Sequence, residues 1–400
     1  MQRLSWILLI SYLLSPPSSA LTSVQDKVTL QERRTFHFGK AGIRFSNQFP
    51  GARLNGCAQI GPESFQLMIH PENSPINDSP WYAFQVKASR AKTISVLLTY
   101  KGGEHRYQPK ISHDGESWTT LPKERYSHDE KNNTATLTLD VGKKVLWVAA
   151  RDMIGNREIS SWIDQISRKS FIRKATIGRS IQKRPLTLLE IGNRKSRNLV
   201  FIISRQHPPE VTGTFGVMAF VEKVSDDSDL SKQFREKFLV LVVPLVNPDG
   251  LEAGHWRHNM GGVDLNRDWK NFRQPETRQV RDLFLKYASR PRAKPYLFLD
   301  FHSTKKDIFY TQKDSHPTFP KDFTSNWLGA LEKRFPEYNV RRSGGHDSST
   351  GTSKGWFYEQ FKIPAITYEW GDHTDRELIV QITGGATEEM MKLLLEAAQK

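Results

Sequence analysis

The sequence predicts an α/β fold, a mixed and mainly parallel sheet with helices on both faces, preceded by an all-β sandwich. Two features predict this. From about Val24 to Ala150, short alternating runs follow one another between clusters of Gly, Pro, Asn and Asp; beyond residue 152, longer apolar runs without alternation take turns with helical patterns. A period of two marks a strand with one wet face, and many short strands with regular turn signals build a sandwich. An unbroken apolar run is what a strand covered on both faces looks like, and strands alternating with helices give a largely parallel sheet. The boundaries are read as 1–20 for an export signal, 24–151 for the sandwich and 152–400 for the second domain.

The chain opens with Met-Gln-Arg, continues with an apolar run from Leu4 to Leu14 and then reads Ser-Pro-Pro-Ser-Ser-Ala. A charged start, a short apolar stretch and a small-residue cleavage site, here after Ala20, make an export signal. That run is too short to span a bilayer, and no later segment approaches the roughly 20 apolar residues a span requires. The protein is therefore expected outside the cytoplasm, periplasmic or secreted, without a transmembrane segment once the signal is removed. Cys57 is the single cysteine, so no internal disulfide can form and stability must come from the core.

In the front region the strand candidates are Phe65-Gln-Leu-Met-Ile, Trp81-Tyr-Ala-Phe-Gln-Val, Thr93-Ile-Ser-Val-Leu-Leu-Thr-Tyr, Ala135-Thr-Leu-Thr-Leu and Lys144-Val-Leu-Trp-Val-Ala. Lys110 to Thr119 fits a hairpin whose Asp-Gly supplies a tight turn. In the second region Ser160–Ser167 is helical, Pro185–Ile191 is a strand, and Asn198–Ser204, Phe238–Val246 and Tyr296–Phe301 are buried strands. Helices are expected around Thr214–Val224, Pro275–Ala288, Phe323–Phe335 and Ala386–Ala398. There is no internal repeat and no low-complexity tract.

The formal net charge is +15, and losing the signal with its Arg3 leaves +14. Such a surface attracts anionic partners: wall polymers, lipid headgroups, polyglutamate or nucleic acid. Nucleic acid is set aside, because no zinc finger, RNA-binding aromatic motif or basic helix repeat is present. The sequence does not fix the oligomeric state.

Chemistry concentrates at four residues: His207 and Glu210 in Gln-His-Pro-Pro-Glu, then His302, then Glu369 closing Pro364-Ala-Ile-Thr-Tyr-Glu. All sit at the ends of strand-like runs, where α/β enzymes place their sites. Two imidazoles and one carboxylate are a three-ligand set for one zinc ion with its fourth position open. Burying charges at several strand ends is costly unless something pairs them, and a divalent metal would. Glu369 could then take a proton from water. Between these lies Gly254-His-Trp-Arg-His-Asn-Met-Gly-Gly-Val-Asp-Leu-Asn-Arg-Asp-Trp, which supplies Arg257, Asp264, Asn266 and Arg267. An arginine fork receives a carboxylate through two parallel hydrogen bonds. A second arginine near the metal could steady an oxyanion, and Asp264 could accept from the outer N–H of a ligating histidine.

The series His207-x-x-Glu210, Asn247-Pro-Asp-Gly, Val263-Asp-Leu-Asn-Arg, His302 and Thr367-Tyr-Glu369 resembles the signature motifs of the M14 family of zinc carboxypeptidases, in the right order. The front region, from Phe45-Ser-Asn-Gln-Phe-Pro-Gly-Ala-Arg through Trp81-Tyr-Ala-Phe-Gln-Val, resembles the sandwich that precedes the catalytic domain in the cytosolic carboxypeptidase subgroup. The resemblance implies a carboxypeptidase-like fold, with His207, Glu210 and His302 as zinc ligands and Glu369 as the base that activates a zinc-bound water. It further implies Arg257 at the scissile carbonyl, Asn266 and Arg267 on the terminal carboxylate of a peptide, and Asp264 behind the first histidine.

Two departures bear on substrate. Many family members carry a mobile tyrosine ahead of the strand leading to the base; here Gly344 to Lys354 holds none, and Tyr358 is the nearest candidate. Lys354 falls near the position that sets the charge of the side-chain pocket in related digestive enzymes, so the resemblance implies a preference for an acidic C-terminal residue. The expected function is hydrolysis of the C-terminal peptide bond of peptides, acidic or derived from peptidoglycan. One alternative is an amidase or deacylase of the same clan, which need not keep Asn266 and Arg267. Another is a binding module that holds zinc without turnover, against which Glu369 argues.

Overall fold

The computed structural model describes residues 28–399 apart from residues 75, 78, 346 and 347. The export signal expected over residues 1–20 lies outside the described residues. Among the described residues no helix is long and apolar enough to cross a membrane.

The chain first forms two facing sheets. One runs in the order β1 (Thr35–Phe38), β2 (Ile43–Ser46), β5 (Ala83–Ala88), β11 (Leu146–Ala149), β7 (Lys110–Ser112), β8 (Thr119–Thr120); the other runs β3 (Gly56–Gly61), β4 (Ser64–Ile69), β6 (Lys92–Tyr100), β10 (Thr134–Val141), β9 (Tyr126–Asp129). The inward side chains are those the alternation marks: Phe65, Leu67 and Ile69 on β4, Ile94, Val96 and Leu98 on β6, Ala135, Leu137 and Leu139 on β10, all buried. The hairpin at 110–120 is present, with Lys110 opposite Thr120 and Ile111 opposite Thr119. Its turn is not the tight Asp-Gly turn expected. A loop over residues 113–118 joins the strands, because the Asp114 carboxylate accepts from the amides of Glu116 and Ser117 at 2.8 and 2.7 Å and props the loop open.

The remainder builds one eight-stranded sheet in the order β12 (Ile172–Arg179), β13 (Pro185–Gly192), β15 (Phe238–Val243), β14 (Asn198–Ser204), β16 (Lys294–Thr304), β19 (Ala365–Gly371), β17 (Ile308–Thr311), β18 (Arg342–Gly344). The central four, β15, β14, β16 and β19, are parallel neighbours; β13 and β17 flank them antiparallel. Every residue of β15 is buried, as its unbroken apolar run requires. Alternate residues feed two cores. Val200, Ile202, Val240 and Leu299 face the layer of α2 (Val211–Val224), α3 (Asp229–Lys237), α6 (Phe323–Arg334) and α8 (Arg376–Gln399). Leu199, Phe201, Leu241 and Phe298 face α5 (Pro275–Ala288) and α7 (Ser353–Phe361). Two shorter helices, α1 (Asn156–Ile166) and α4 (Pro248–Ala253), lie in the connections.

Several elements differ from expectation. The last helix begins at Arg376, ten residues before the apolar pattern suggests, and runs through Gly384-Gly385. The glycines serve close packing: a Cβ on Gly385 would stand 2.4 Å from the Phe335 ring. Strand β12 reads Ile-Arg-Lys-Ala-Thr-Ile-Gly-Arg, an edge strand whose charges hide its period. Lys354 lies in the first turn of α7, a helix not expected from the sequence, which Thr352 caps by accepting from the Gly355 amide.

Helix α7 owes its place to Phe357, fully buried, whose ring lies flat on Phe298 at 3.6 Å between centroids and meets Phe201, Trp269 and Phe284. Phe357→Ala is expected to destabilise the protein by about 3–5 kcal/mol, the range for an aromatic truncated in a core. Urea unfolding followed by far-UV circular dichroism measures it; a loss under about 1 kcal/mol would show that α7 is held by something else.

Candidate metal centre

The parallel order reverses around β14, whose chain leaves toward β15 on one side while β16 lies on the other, and the carboxyl ends of strands at such a point frame a crevice. His207 follows β14, His302 lies near the end of β16, and Glu369 stands directly opposite His302 on β19. Between His207 and Glu210, Pro208 and Pro209 turn the chain into α2, with Glu210 as its N-cap. Buried Arg205 braces that turn: Nε donates to Pro208 O at 2.9 Å and Nη1 to Thr214 Oγ1 at 2.5 Å. Glycine brings α2 against β16, since a Cβ on Gly213 would stand 2.6 Å from the His302 carbonyl oxygen.

The geometry brings the three expected ligands together. His207 Nδ1 lies 2.7 Å from Glu210 Oε1, and His302 Nδ1 lies 2.7 Å from Glu210 Oε2. All three residues are buried, and their ligand atoms lie within 4.8 Å of one another. The outer nitrogens are each taken by a carboxylate, His207 Nε2 with Asp264 Oδ1 at 2.9 Å and His302 Nε2 with Asp300 Oδ2 at 2.8 Å. Outer N–H groups held this way leave both Nδ1 lone pairs facing inward, as ligation requires. The His302 imidazole is held well above its ordinary range: burial opposes the charge, but Asp300 and Glu210 win. Burial would likewise raise the Glu210 carboxyl, yet the two imidazoles hold it low. A cluster that keeps a proton on an imidazole to neutralise its carboxylates is one in which a divalent cation can take the proton's place. The donor set fits zinc, two nitrogens and a carboxylate.

Around this centre lies a cavity of about 760 Å³ lined by all nine residues expected from the sequence except Asp264. Asp264 sits just behind the wall, its Oδ1 accepting from His207 and from the Asn266 amide and its Oδ2 from Arg257 Nε at 2.7 Å. Asn266 accepts from the Ser353 amide at 2.9 Å, while Arg267 is exposed at the cavity's lip. Lys354 Nζ donates to the carbonyls of Gly345 at 2.6 Å and Thr311 at 3.2 Å. Burial pushes the Glu369 carboxyl up to about 7, with Glu210 adding to the push and the two histidines opposing it. Among the described residues its Oε2 has no hydrogen-bond partner.

Five contributors were missed from sequence. Asp300 precedes His302 by two on one strand, so both side chains share a face; that period was the available signal. Tyr310 lines the cavity from β17, opposite Thr367, whereas Tyr358 is buried against His316 and does not reach it. Burial, then the Glu369 carboxylate, raises the Tyr310 hydroxyl above its usual range. Asn77, Ser79 and Arg106 of the front region form part of the wall, with Arg106 Nε on Asp372 at 2.8 Å, and no local pattern announces them.

A sequence profile of the zinc carboxypeptidases matches residues 159–388. The chain belongs to the zinc carboxypeptidase family. Cytosolic carboxypeptidase 6 of Caenorhabditis elegans is 21% identical over 289 residues, 66% of this chain and 63% of its own length. An uncharacterized protein of Zymomonas mobilis is 23% identical over 60% of this chain and 63% of its own. The chain thus spans a little under two thirds of the length of these relatives. Among solved structures, a metallo-carboxypeptidase from Burkholderia cenocepacia superposes with a TM-score of 0.73 over 89% of this chain and 99% of its own, at 17% identity. The likeness is one of fold, and it includes the β-rich front region, as expected.

Asp300 is expected to matter to metal binding although it touches no ion. Asp300→Asn should weaken zinc affinity about 10- to 100-fold, the usual cost of losing an outer carboxylate. Competition with a chromogenic chelator measures this; unchanged affinity would show that the His302 ring is oriented by other contacts.

Proposed function

We propose that this zinc carboxypeptidase family member removes single residues from the C-terminus of peptides, preferring an acidic last residue, and that it acts outside the cytoplasm. The observation that carries the reading is the sharing of one cavity by the His207–Glu210–His302 cluster, Glu369, and the Asn266–Arg267 pair. An arginine fork beside an amide is a receiver for a carboxylate. A receiver at a fixed reach from the reacting centre selects the last peptide bond of a chain. That favours a free-carboxylate substrate over the non-peptide amide of an amidase or deacylase.

His207, Glu210 and His302 would hold the zinc, which when bound supplies a Lewis acid that acidifies water and polarises a carbonyl. Arg267 and Asn266 grip the terminal carboxylate and place the scissile carbonyl by the metal. Glu369 takes a proton from water as the water oxygen attacks the carbonyl carbon. A carboxyl whose pKa lies near neutrality suits both taking that proton and returning it to the amine nitrogen when the C–N bond breaks. Arg257, aimed by its bond to Asp264, steadies the oxyanion.

Lys354 supports the acidic preference. A lysine in the first turn of a helix sits at the wrong end of the helix dipole, and burial adds to the cost. Two of its three N–H groups are used by backbone carbonyls, which aims the ammonium and leaves a donor for a substrate carboxylate. The export reading rests on the pattern of residues 1–20. Glutamate-tailed peptides and peptidoglycan stem peptides are the first substrates to try, with products read by mass spectrometry.

Glu369→Gln is expected to keep one zinc per chain and lose about 10²- to 10⁴-fold in kcat, the contribution of a positioned general base. Metal analysis and peptide hydrolysis on the same sample check it, and unchanged turnover would remove the mechanism. Burial lowers the Lys354 ammonium to about 8, so its charge is present below that pH and lost above it. The preference for C-terminal Glu over Phe should therefore decline as pH rises through about 8, and Lys354→Met should abolish it. Rates on matched peptides from pH 6.5 to 9.5 measure it; a preference that is flat with pH and survives the substitution would refute the assignment.

A further inference from the structure

The catalytic sheet does not by itself hold the backbone of Arg257. Residues 255–258 form no helix or strand, and among the described residues the amides of Trp256, Arg257 and His258 find their acceptor in one side chain, Glu72, which belongs to the front sandwich. Glu72 Oε2 accepts from Trp256 N at 2.7 Å; Oε1 accepts from Arg257 N at 3.0 Å and His258 N at 2.7 Å. Three successive amides converging on one carboxylate make an anion cradle of the kind backbone nests form. Here the anion is supplied by the neighbouring sandwich.

Glu72 is fully buried and firmly seated. Arg53, also buried, pairs with it at 3.3 Å, and the Thr29 amide donates to its own carbonyl at 2.7 Å. Burial would raise its carboxyl, but His258, His255 and Arg53 hold it below the ordinary carboxylate range. Around this point the two parts interlock. Trp256 Nε1 donates to Trp81 O at 3.0 Å, Asn73 Nδ2 to Gly262 O at 3.1 Å, and a Cβ on Gly254 would stand 2.4 Å from Ala52 O. From Glu72 a continuous path leads inward: the amide of Arg257, its Nε on Asp264, and Asp264 on His207.

We infer that Glu72 is a positioning residue for the reaction: the sandwich inserts this carboxylate to set the backbone of Arg257, and so completes the oxyanion site from outside the catalytic sheet. The inference rests on the proposed hydrolysis for its rate prediction and on geometry alone for the rest. A glutamine of the same shape can turn an oxygen to only one side, so at least one amide would face an N–H instead of an acceptor. Arg257 would keep its side chain and lose its fixed origin, and small displacements at a reacting centre are costly.

The test has two independent arms. In the unmodified protein, hydrogen–deuterium exchange across residues 254–259 should show the amides of 256–258 protected; exchange as fast as in an open loop would overturn the inference whether or not the protein hydrolyses peptides. In the second arm, Glu72→Gln should lower kcat about tenfold or more, with KM within about threefold and zinc content unchanged, since Arg257 acts on the transition state. Glu72→Asp, which keeps the charge, should recover part of the loss, and it replaces the glutamine variant should that one not fold. Introduced into an Arg257→Ala background, the same change should have little further effect. An equal fall in both backgrounds would mean that Glu72 merely holds the fold together. A wild-type protein that hydrolyses no peptide would sink the proposed function and leave the exchange result to judge Glu72.

Discussion

The charge around His207 and His302 is the constraint on which the rest of this protein turns. Glu210, Asp264, Asp300 and Glu369 crowd about two imidazoles and one arginine at the carboxyl ends of three neighbouring strands. Carboxylates buried in such numbers repel one another, and desolvation penalises each. The protein offsets part of this with hydrogen bonds of fixed direction, part with the N-terminus of α2 behind Glu210, and leaves the balance to a cation. Burial and the reach of the imidazoles together explain the divergent behaviour of neighbouring groups. Glu210 is held low because both imidazoles touch it, whereas burial lifts Glu369, one strand away and bonded to neither. Two carboxylates lining one cavity with opposed shifts are suited to different tasks.

Such an arrangement demands a frame that does not yield, and the sheet supplies it. The central strands are covered on both faces, so none of the ligating residues can relax without opening a core. The helix carrying Glu210 approaches the strand carrying His302 at Gly213, where any side chain would wedge them apart. Both histidines are thus aimed by backbone placement first and by Asp264 and Asp300 second. Ring orientations fixed by such contacts lower the cost of ordering a site on binding.

What could be seen in the sequence follows from how local each signal was. Unbroken apolar runs at 198–204 and 238–243 announce buried strands because both faces of a strand must be apolar there. His207, Glu210, His302 and Glu369 stand out because charged residues ending such runs need a reason. Asp300 was hidden by its own burial: inside Leu-Phe-Leu-Asp-Phe-His it looks like an interruption of the strand, and only its fixed offset from His302 gives it a purpose. Helix α3 and strand β12 were missed because charged residues on their wet faces blur the period. Glu72, Arg106 and Tyr310 were beyond reach for a different reason. Their roles come from contacts across 184 or more residues for Glu72 and 266 for Arg106, and from strand pairing for Tyr310; no spacing in the chain encodes these.

The position of the sandwich follows from the same electrostatics. The chain carries a formal charge of +15, and its cavity is lined by Arg106, Arg257, Arg267, Lys313 and Lys354 as well as by Glu210 and Glu369. Field lines from such a surface gather in a cleft with low-dielectric walls and draw anionic groups inward. A bare catalytic sheet would leave one flank of this cleft open to water, whose screening would flatten the gradient. With Asn77, Ser79 and Arg106 in the wall, and Arg106 locked to Asp372 at the end of β19, the sandwich closes that flank and shelters the charges of the cleft from water.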